Sequence, residues 1–326
     1  MSERKSGGRG AASMNGVDFE RPIIELEQKI AELENLAATT GMDLRGEIQP
    51  LKERCRLLID TTFTQLSAWQ KVSVARHPQR PIFSDFVAGM LDEFVELHGD
   101  RTFSDDRAIV TGFGRLGSRR VLIVGHQKGR GVKEKVACNF GSAHPEGYRK
   151  ALVKMQLAEK FRLPIVTLID TPGAYPGIGA EERGQAQAIA RNIFEMARLR
   201  VPIVCVVTGE GGSGGALGIG LGDKFAILEH AYYSVISPEG CAAILWKNGE
   251  MASTAAEALK LTGQDLLRLG IVDEVIPEPK GGAHRDARRM ALTLKDRIAA
   301  YLAELEGIPI DDLVERRYAR IRRIGS

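Results

Sequence analysis

The sequence predicts an α/β protein built on a largely parallel sheet, and three observations carry that prediction. From residue 84 onward, short apolar runs alternate with stretches of helical spacing, the order of successive β-α-β units. Two of those runs, 164–169 and 201–207, pass directly into glycine-rich turns and then into helical patterns. Parallel sheets receive ligands at the C-terminal ends of their strands, and both turns lie at such ends.

Each element has its own signal. Residues 1–16, rich in Gly, Ser and Arg, read as a disordered leader. Apolar residues at 23, 26, 30 and 33 set a helix over 23–36, and a second helical stretch spans 47–74, with Gly41 and Gly46 in the turn between them. Residues 17–81 are therefore expected to form a helical hairpin followed by a proline-containing linker, 75–81. The remainder, 82–326, is expected to carry the chemistry. It opens with a helix that aligns Phe86, Met90, Phe94 and Leu97, then strands over 108–116 and 120–124, and a Gly- and Lys-rich loop over 127–133. Helix 148–161, strand 164–169, helix 179–199, strand 201–207, helix 214–222 and strand 224–229 continue the alternation. A helix after residue 240, a short strand over 271–276 and a long helix over 283–305 close the chain.

Composition excludes several classes. The chain has 45 Lys and Arg against 42 Asp and Glu, a formal charge of +3, so it shows no broad basic surface for nucleic acid. Its short basic segment, 316–323, reads as a solvated or partner-facing tail. Cysteines at 55, 138, 205 and 241 show neither metal-ligand spacing nor a disulfide framework, which points to no metal in this chain and to a reducing cytoplasm. No apolar run approaches the ~18 to 20 residues needed to span a bilayer.

The stretch Gly209-Glu-Gly-Gly-Ser-Gly-Gly-Ala216 admits three chemistries. Gly209, Gly211 and Gly214 satisfy a dinucleotide fingerprint, with Glu229 as the ribose-binding acid, although several α/β units precede it. Ser213 sits in GxSxG, the elbow of serine hydrolases, and would need Asp265 or Asp273 together with His284. The third reading is an oxyanion hole made of backbone N–H groups, and a second glycine corner beside it, Asp170-Thr-Pro-Gly-Ala-Tyr-Pro-Gly177, suits this best.

Gln127-Lys-Gly-Arg130, Pro145-Glu-Gly-Tyr-Arg-Lys150, the 170–184 segment, 209–216 and Ser237-Pro-Glu-Gly-Cys241 closely resemble the alpha subunits of acetyl-CoA carboxylase carboxyltransferase, and the likeness covers roughly residues 17–320. The resemblance implies a crotonase-like fold, of the ClpP/crotonase superfamily, that stabilises thioester enolates with paired backbone donors. It also implies a beta subunit carrying a zinc ribbon in an alpha2-beta2 assembly. Biotin, as carboxybiotin on a separate biotin carboxyl carrier protein, would supply the carboxyl group, and a separate biotin carboxylase would use ATP. Acetyl-CoA would become malonyl-CoA for fatty-acid synthesis. In the family's chemistry carboxybiotin releases CO2, the ureido anion takes a proton from the acetyl methyl group, and the enolate attacks CO2, so no side-chain base is required.

Carried onto this sequence, the donors are the backbone N–H groups of Gly214 and Gly215, with Gly211 and Gly212 as alternatives in the same turn. Gly173, Ala174, Tyr175 and Gly177 would line the biotin pocket, and Lys128 and Arg130 would hold phosphate or carboxylate unless they are ordinary loop cations. His126 reads as a hydrogen-bonded structural residue rather than a base. One rival is a stand-alone crotonase-like acyl-CoA hydratase or isomerase, for which Glu181 and Glu182 are the candidate bases. Another is a non-catalytic scaffold that recruits a partner through its helical hairpin.

Overall fold

A computed structural model describes residues 18–325, so the leader expected over 1–16 lies outside the described residues. The chain divides into two units between Thr64 and Gln65. In the first, a short 3-10 turn (Asp18–Glu20) leads into α1 (Arg21–Thr40) and α2 (Arg45–Thr64). Gly41 ends α1 in the left-handed conformation, φ 70°, and its N–H closes on the Ala37 carbonyl at 3.0 Å. Lys52 pairs with Glu34 at 2.6 Å across the hairpin, and the Phe19 and Phe63 rings meet edge-on with centroids 5.9 Å apart.

The second unit begins with α3 (Ala68–Ala75) and α4 (Phe83–Met90), followed by β1 (Phe94–Glu96), β2 (Ile109–Leu116) and β3 (Arg119–His126). Then come α5 (Gly131–Ala137), α6 (Pro145–Lys160), β4 (Ile165–Thr171), α7 (Ile178–Glu182) and α8 (Gln185–Met196). The chain continues through β5 (Ile203–Gly212), α9 (Ser213–Leu217), β6 (Lys224–Leu228), β7 (Tyr232–Ser234) and α10 (Pro238–Trp246). It ends with α11 (Ala252–Ala258), α12 (Gly263–Arg268), β8 (Glu274–Ile276), α13 (Ala287–Glu306) and α14 (Ile310–Arg322).

The strands join one sheet in the order β1-β2-β3-β4-β5-β6-β8. β1, β2 and β3 pair antiparallel, and β3 through β8 pair parallel. Every residue of β4 and β5 is buried, as expected where helices cover both faces of a parallel sheet. Ile165, Leu168, Val204, Val206 and Ile227 form the middle of the core.

Several boundaries differ from the sequence reading, each for a local reason. The stretch over 47–74 breaks into α2 and α3, because Ser67 starts a new helix with a capping box to Gln70. Phe94 belongs to β1 rather than to the preceding helix. Gly112 and Gly114 of β2 leave room for it, since a Cβ on Gly112 would fall on the Phe94 ring and one on Gly114 would lie 2.5 Å from Leu91. Gly184, at φ 81°, splits the long helix expected over 179–199 into α7 and α8. The helix expected over 214–222 stops after five residues, at Leu217, where Gly218, Gly220 and Gly222 offer little helical propensity.

The basic tail is α14. Its Arg317 is buried, holds Asp223 through two 2.8 Å bonds, and donates to the carbonyls of Met196, Leu199 and Val201. Arg320 donates to Asp273 and to the Ile271 carbonyl. These two arginines fasten a helix to the sheet, so only part of the basic segment faces solvent as expected.

Candidate active site

The strand read as ending at 207 runs on through the glycines to Gly212. Val204–Val207 pair with β6, after which the strand leaves β6 and pairs Glu210, Gly211 and Gly212 with β7. Against β4, Ile169 faces Val207 and Thr171 faces Gly211, so β5 carries extra residues opposite Asp170. Gly209 permits this bulge because a Cβ there would fall on the Asp170 carboxylate. The Glu210 N–H donates to Asp170 Oδ1 at 2.8 Å.

The glycine stretch therefore has two halves. Gly211 and Gly212 are strand residues, with Gly211 in register with both Thr171 and Tyr233. Helix α9 starts at Ser213, and its N-cap, Gly212, brings no side chain to the first turn. The first N–H groups of a helix have no partner inside it. Gly214 and Gly215 supply two of them, with no side-chain cap.

The two glycine corners touch. A Cβ on Gly215 would lie 2.5 Å from the Ala174 nitrogen and 2.6 Å from the Gly173 carbonyl carbon, and one on Gly212 would fall on the Pro172 carbonyl. Gly214 is open by contrast, since a Cβ there would meet only Ile189 Cδ1, at 3.6 Å. The 170–177 loop is fixed by its own N–H groups: Gly173 N–H donates to the side-chain Thr171 Oγ1 at 3.1 Å, and Tyr175 N–H donates to the Ala143 carbonyl at 3.0 Å. Gln185 Nε2 donates to both the Ala143 and Tyr175 carbonyls. The Tyr175 ring covers Gly177 and stacks on His144 with centroids 4.1 Å apart.

Beneath the corners lies a buried charge cluster that the sequence reading missed. Lys128 Nζ is 2.7 Å from Asp170 Oδ1 and 2.7 Å from Glu210 Oε1. The other Glu210 oxygen accepts from Arg76 at 2.7 Å and from the Tyr232 hydroxyl at 2.6 Å, and Arg76 also pairs with Glu239. Burial pushes the Glu210 carboxyl up, but Lys128 and Arg76 outweigh it and hold its pKa down at about 2. Burial alone would lower Lys128, yet Asp170 and Glu210 keep its pKa above the ordinary lysine value. Lys128 is thus committed to two carboxylates, whereas Arg130 pairs with Asp85 on α4 while half of its side chain stays exposed.

His126 fits the expectation of a structural residue rather than a base. It is buried at the end of β3 beside the Gly215 backbone, and burial, aided by Lys128 and only partly offset by the Gly215 backbone, drives its pKa down to about 3. It is neutral, and no base. Tyr148 reaches the same corner from α6, its hydroxyl 3.4 Å from the Gly215 carbonyl.

The competing site readings do not assemble. Gly209 and Gly211 lie on a strand, not in a phosphate-binding turn, and the Glu229 carboxylate accepts the Glu278 N–H. Ser213 has the positive φ of an elbow, 51°. Its supposed partners are engaged elsewhere: Asp265 with Thr262 and Arg268, Asp273 with the Phe225 N–H, and His284 stacked on His77 at 4.0 Å. Glu181 and Glu182 are exposed on α7.

The sheet brings two glycine-rich strand ends against each other, one of them opening a helix, within a crotonase-like α/β fold. The same fold is found in transcarboxylase 12S, solved with methylmalonyl-coenzyme A and methylmalonic acid bound (TM-score 0.54, 22% identity, covering 66% of this chain and 41% of that one). It is found again in the beta subunit of P. aeruginosa geranyl-CoA carboxylase (TM-score 0.54, 22% identity, 75% of this chain and 46% of that one). The chain thus spans less than half the length of either structure. The family described as acetyl co-enzyme A carboxylase carboxyltransferase-like matches residues 16–325, and the chain belongs to it. Relatives named acetyl-coenzyme A carboxylase carboxyl transferase subunit alpha are similar over almost their full length. That of Methylococcus capsulatus is 56% identical over 309 residues, 95% of this chain and 96% of the relative, and that of Rhodopirellula baltica is 55% identical over 310 residues, 95% and 97%. Among the described residues, no helix is long and apolar enough to cross a membrane.

Proposed function

We propose that this chain is the alpha subunit of the carboxyltransferase of acetyl-CoA carboxylase, and that it serves the biotin half of a reaction that carboxylates acetyl-CoA to malonyl-CoA. The observation that carries this reading is the contact between Gly215 and the Gly173–Ala174 main chain, beside first-turn N–H groups that no side chain caps. Carboxybiotin brings the carboxyl group to be transferred, and negative charge grows on its ureido oxygen as that group leaves. The Gly214 and Gly215 amides donate to that oxygen. One such donor in a dry site is worth ~3 to 4 kcal/mol in the transition state.

The residues fit a flat bicyclic ring. In this reading Gly173, Ala174, Gly214 and Gly215 would floor the site with almost no side chain, Tyr175 and Gly177 would flank it, and the exposed Ile178 and Leu217 lie on the two adjoining helices. The biotin arrives on a separate carrier protein charged by an ATP-using biotin carboxylase. A beta subunit with a zinc ribbon supplies the thioester half in an alpha2-beta2 assembly, and the metal is assigned to that partner. The four cysteines are buried thiols, which suits the reducing cytoplasm.

The test is to mix the chain with a carboxyltransferase beta subunit and follow transfer from malonyl-CoA to a soluble biotin derivative. Transfer that requires both chains is expected. Turnover of an enoyl-CoA by the isolated chain would favour the hydratase or isomerase instead.

A further inference from the structure

We infer that Lys128 is a positioning residue for carboxyl transfer: its buried ammonium ties the ends of β4 and β5 together and so sets the Gly173–Gly215 contact. The inference deepens the proposed function and rests on its reading of the Gly214 and Gly215 amides.

Three neighbouring strands end at this point. Lys128 lies two residues beyond β3, Asp170 is the penultimate residue of β4, and Glu210 lies two residues before the end of β5. One ammonium bridges the two carboxylates at 2.7 Å each, and Asp170 Oδ1 also accepts the Glu210 N–H at 2.8 Å. From Asp170 the chain needs three residues to reach Gly173, and from Glu210 it needs five to reach Gly215. The tie therefore links the two corners close to their roots. The lysine stem is itself confined, since a Cβ on Gly141 would lie 3.0 Å from Lys128 Cγ and 2.9 Å from the Asp170 carbonyl.

The bulge explains why a tie is required. Between Ile169 and Thr171 the ordinary ladder register is lost, so the strand ends that carry the corners are not aligned by regular β4–β5 pairing at Asp170. The charge-assisted bonds from Lys128 replace it. Arg76 and Tyr232 hold the other Glu210 oxygen, so Glu210 cannot swing away when Lys128 is lost, whereas Asp170 has no other cation among the described residues. Removing the ammonium frees the β4 corner in particular.

A buried lysine between two carboxylates also balances charge, and the test separates that role from positioning. Lys128→Met leaves an uncompensated carboxylate. The double variant Lys128→Met with Asp170→Asn restores the balance, keeps an oxygen at position 170 to accept the Glu210 N–H, and leaves Arg76 on Glu210. Each variant, and Gly215→Ala as a separate probe of the amide site, is assayed in complex with the beta subunit for transfer from malonyl-CoA to a biotin derivative, alongside thermal unfolding. The K128M variant is expected to lose both stability and kcat. K128M/D170N regains stability while kcat stays ~10- to 100-fold low, the scale of a misplacement near 1 Å. KM for malonyl-CoA, which binds the other half, stays within about twofold. Wild-type kcat in K128M/D170N beside a slow Gly215→Ala overturns the inference alone. Wild-type kcat in Gly215→Ala overturns the amide reading and the inference with it.

Discussion

Gly215→Ala is the sharpest test of the glycine corner, because one methyl group is driven between two backbones. Its Cβ would sit 2.5 Å from the Ala174 nitrogen, 2.6 Å from the Gly173 carbonyl carbon and 3.0 Å from the Gly173 Cα. Ordinary carbon contacts lie at ~3.5 to 4.0 Å, so the corners must part by roughly 1 Å. No flexible side chain can yield instead, since all three atoms are main chain. Overpacking of this kind costs about 1 to 3 kcal/mol of stability, which leaves a folded protein. Catalysis suffers more: a displaced oxyanion donor lowers kcat by ~10²- to 10³-fold. Gly214→Ala supplies the contrast, because its methyl group meets only Ile189 at 3.6 Å and its N–H is retained, so its loss is expected to be far smaller. Initial rates of transfer in the complex, normalised to folded protein by thermal unfolding, measure both. A folded Gly215→Ala complex with wild-type kcat refutes the assignment, and equal losses in the two variants refute the role given to the contact between corners.

Three further predictions concern stability and the rival readings. Ser213→Gly relieves a non-glycine residue at φ 51°, so it is expected to stabilise the chain by about 1 kcal/mol with transfer retained; loss of transfer would return Ser213 to the chemistry. Glu278 is fully buried on Arg80, and although burial pushes its carboxyl up, Arg80 and then His230 hold it down at about 2 from an ordinary 4.5. A depressed carboxyl stabilises the fold above its unfolded pKa and loses that contribution as pH falls from about 4.5 to about 2. Glu278→Gln is therefore expected to remove on the order of 3 kcal/mol at neutral pH and to flatten the pH dependence of unfolding across that window, which acid titration by circular dichroism will show. Arg317→Met strands a buried Asp223, and denaturant unfolding is expected to show a loss of about 3 to 5 kcal/mol; a loss under about 1 kcal/mol would mean that α14 is held by its apolar face alone.

The two glycine corners are legible in the sequence because glycine clusters after apolar runs have a direct physical meaning. Where strand β5 ends is not. Glycine is a poor strand former, so 209–212 reads as a turn, yet it pairs with β7 because the strand bends across the Asp170 bulge, a contact 40 residues away in sequence. Helix α14 is hidden by its own charge: a run of arginines looks solvated, and nothing local shows that Arg317 points at the three carbonyls it satisfies. The charge cluster is the least legible. Arg76, Lys128, Asp170, Glu210 and Glu239 share no spacing, and the one local hint is an acid, Glu210, among glycines in an otherwise apolar strand.

That hint bears on how the site works. An amide pair that stabilises developing negative charge is weakened by carboxylates nearby, and two of them, Asp170 and Glu210, stand within a few residues of the corners. Left alone in a low-dielectric interior they would oppose the reaction they frame. Lys128 and Arg76 cancel them, two cations against two carboxylates, while Glu239 is half exposed and screened by water. The cluster is therefore close to neutral where it faces the glycines, so under the proposed function the amides would set the field at the oxyanion. Apolar side chains would avoid the conflict too, but they would not bridge a bulged sheet at two defined oxygens. A balanced ionic tie both aligns the corners and keeps their potential free of the charge that aligns them.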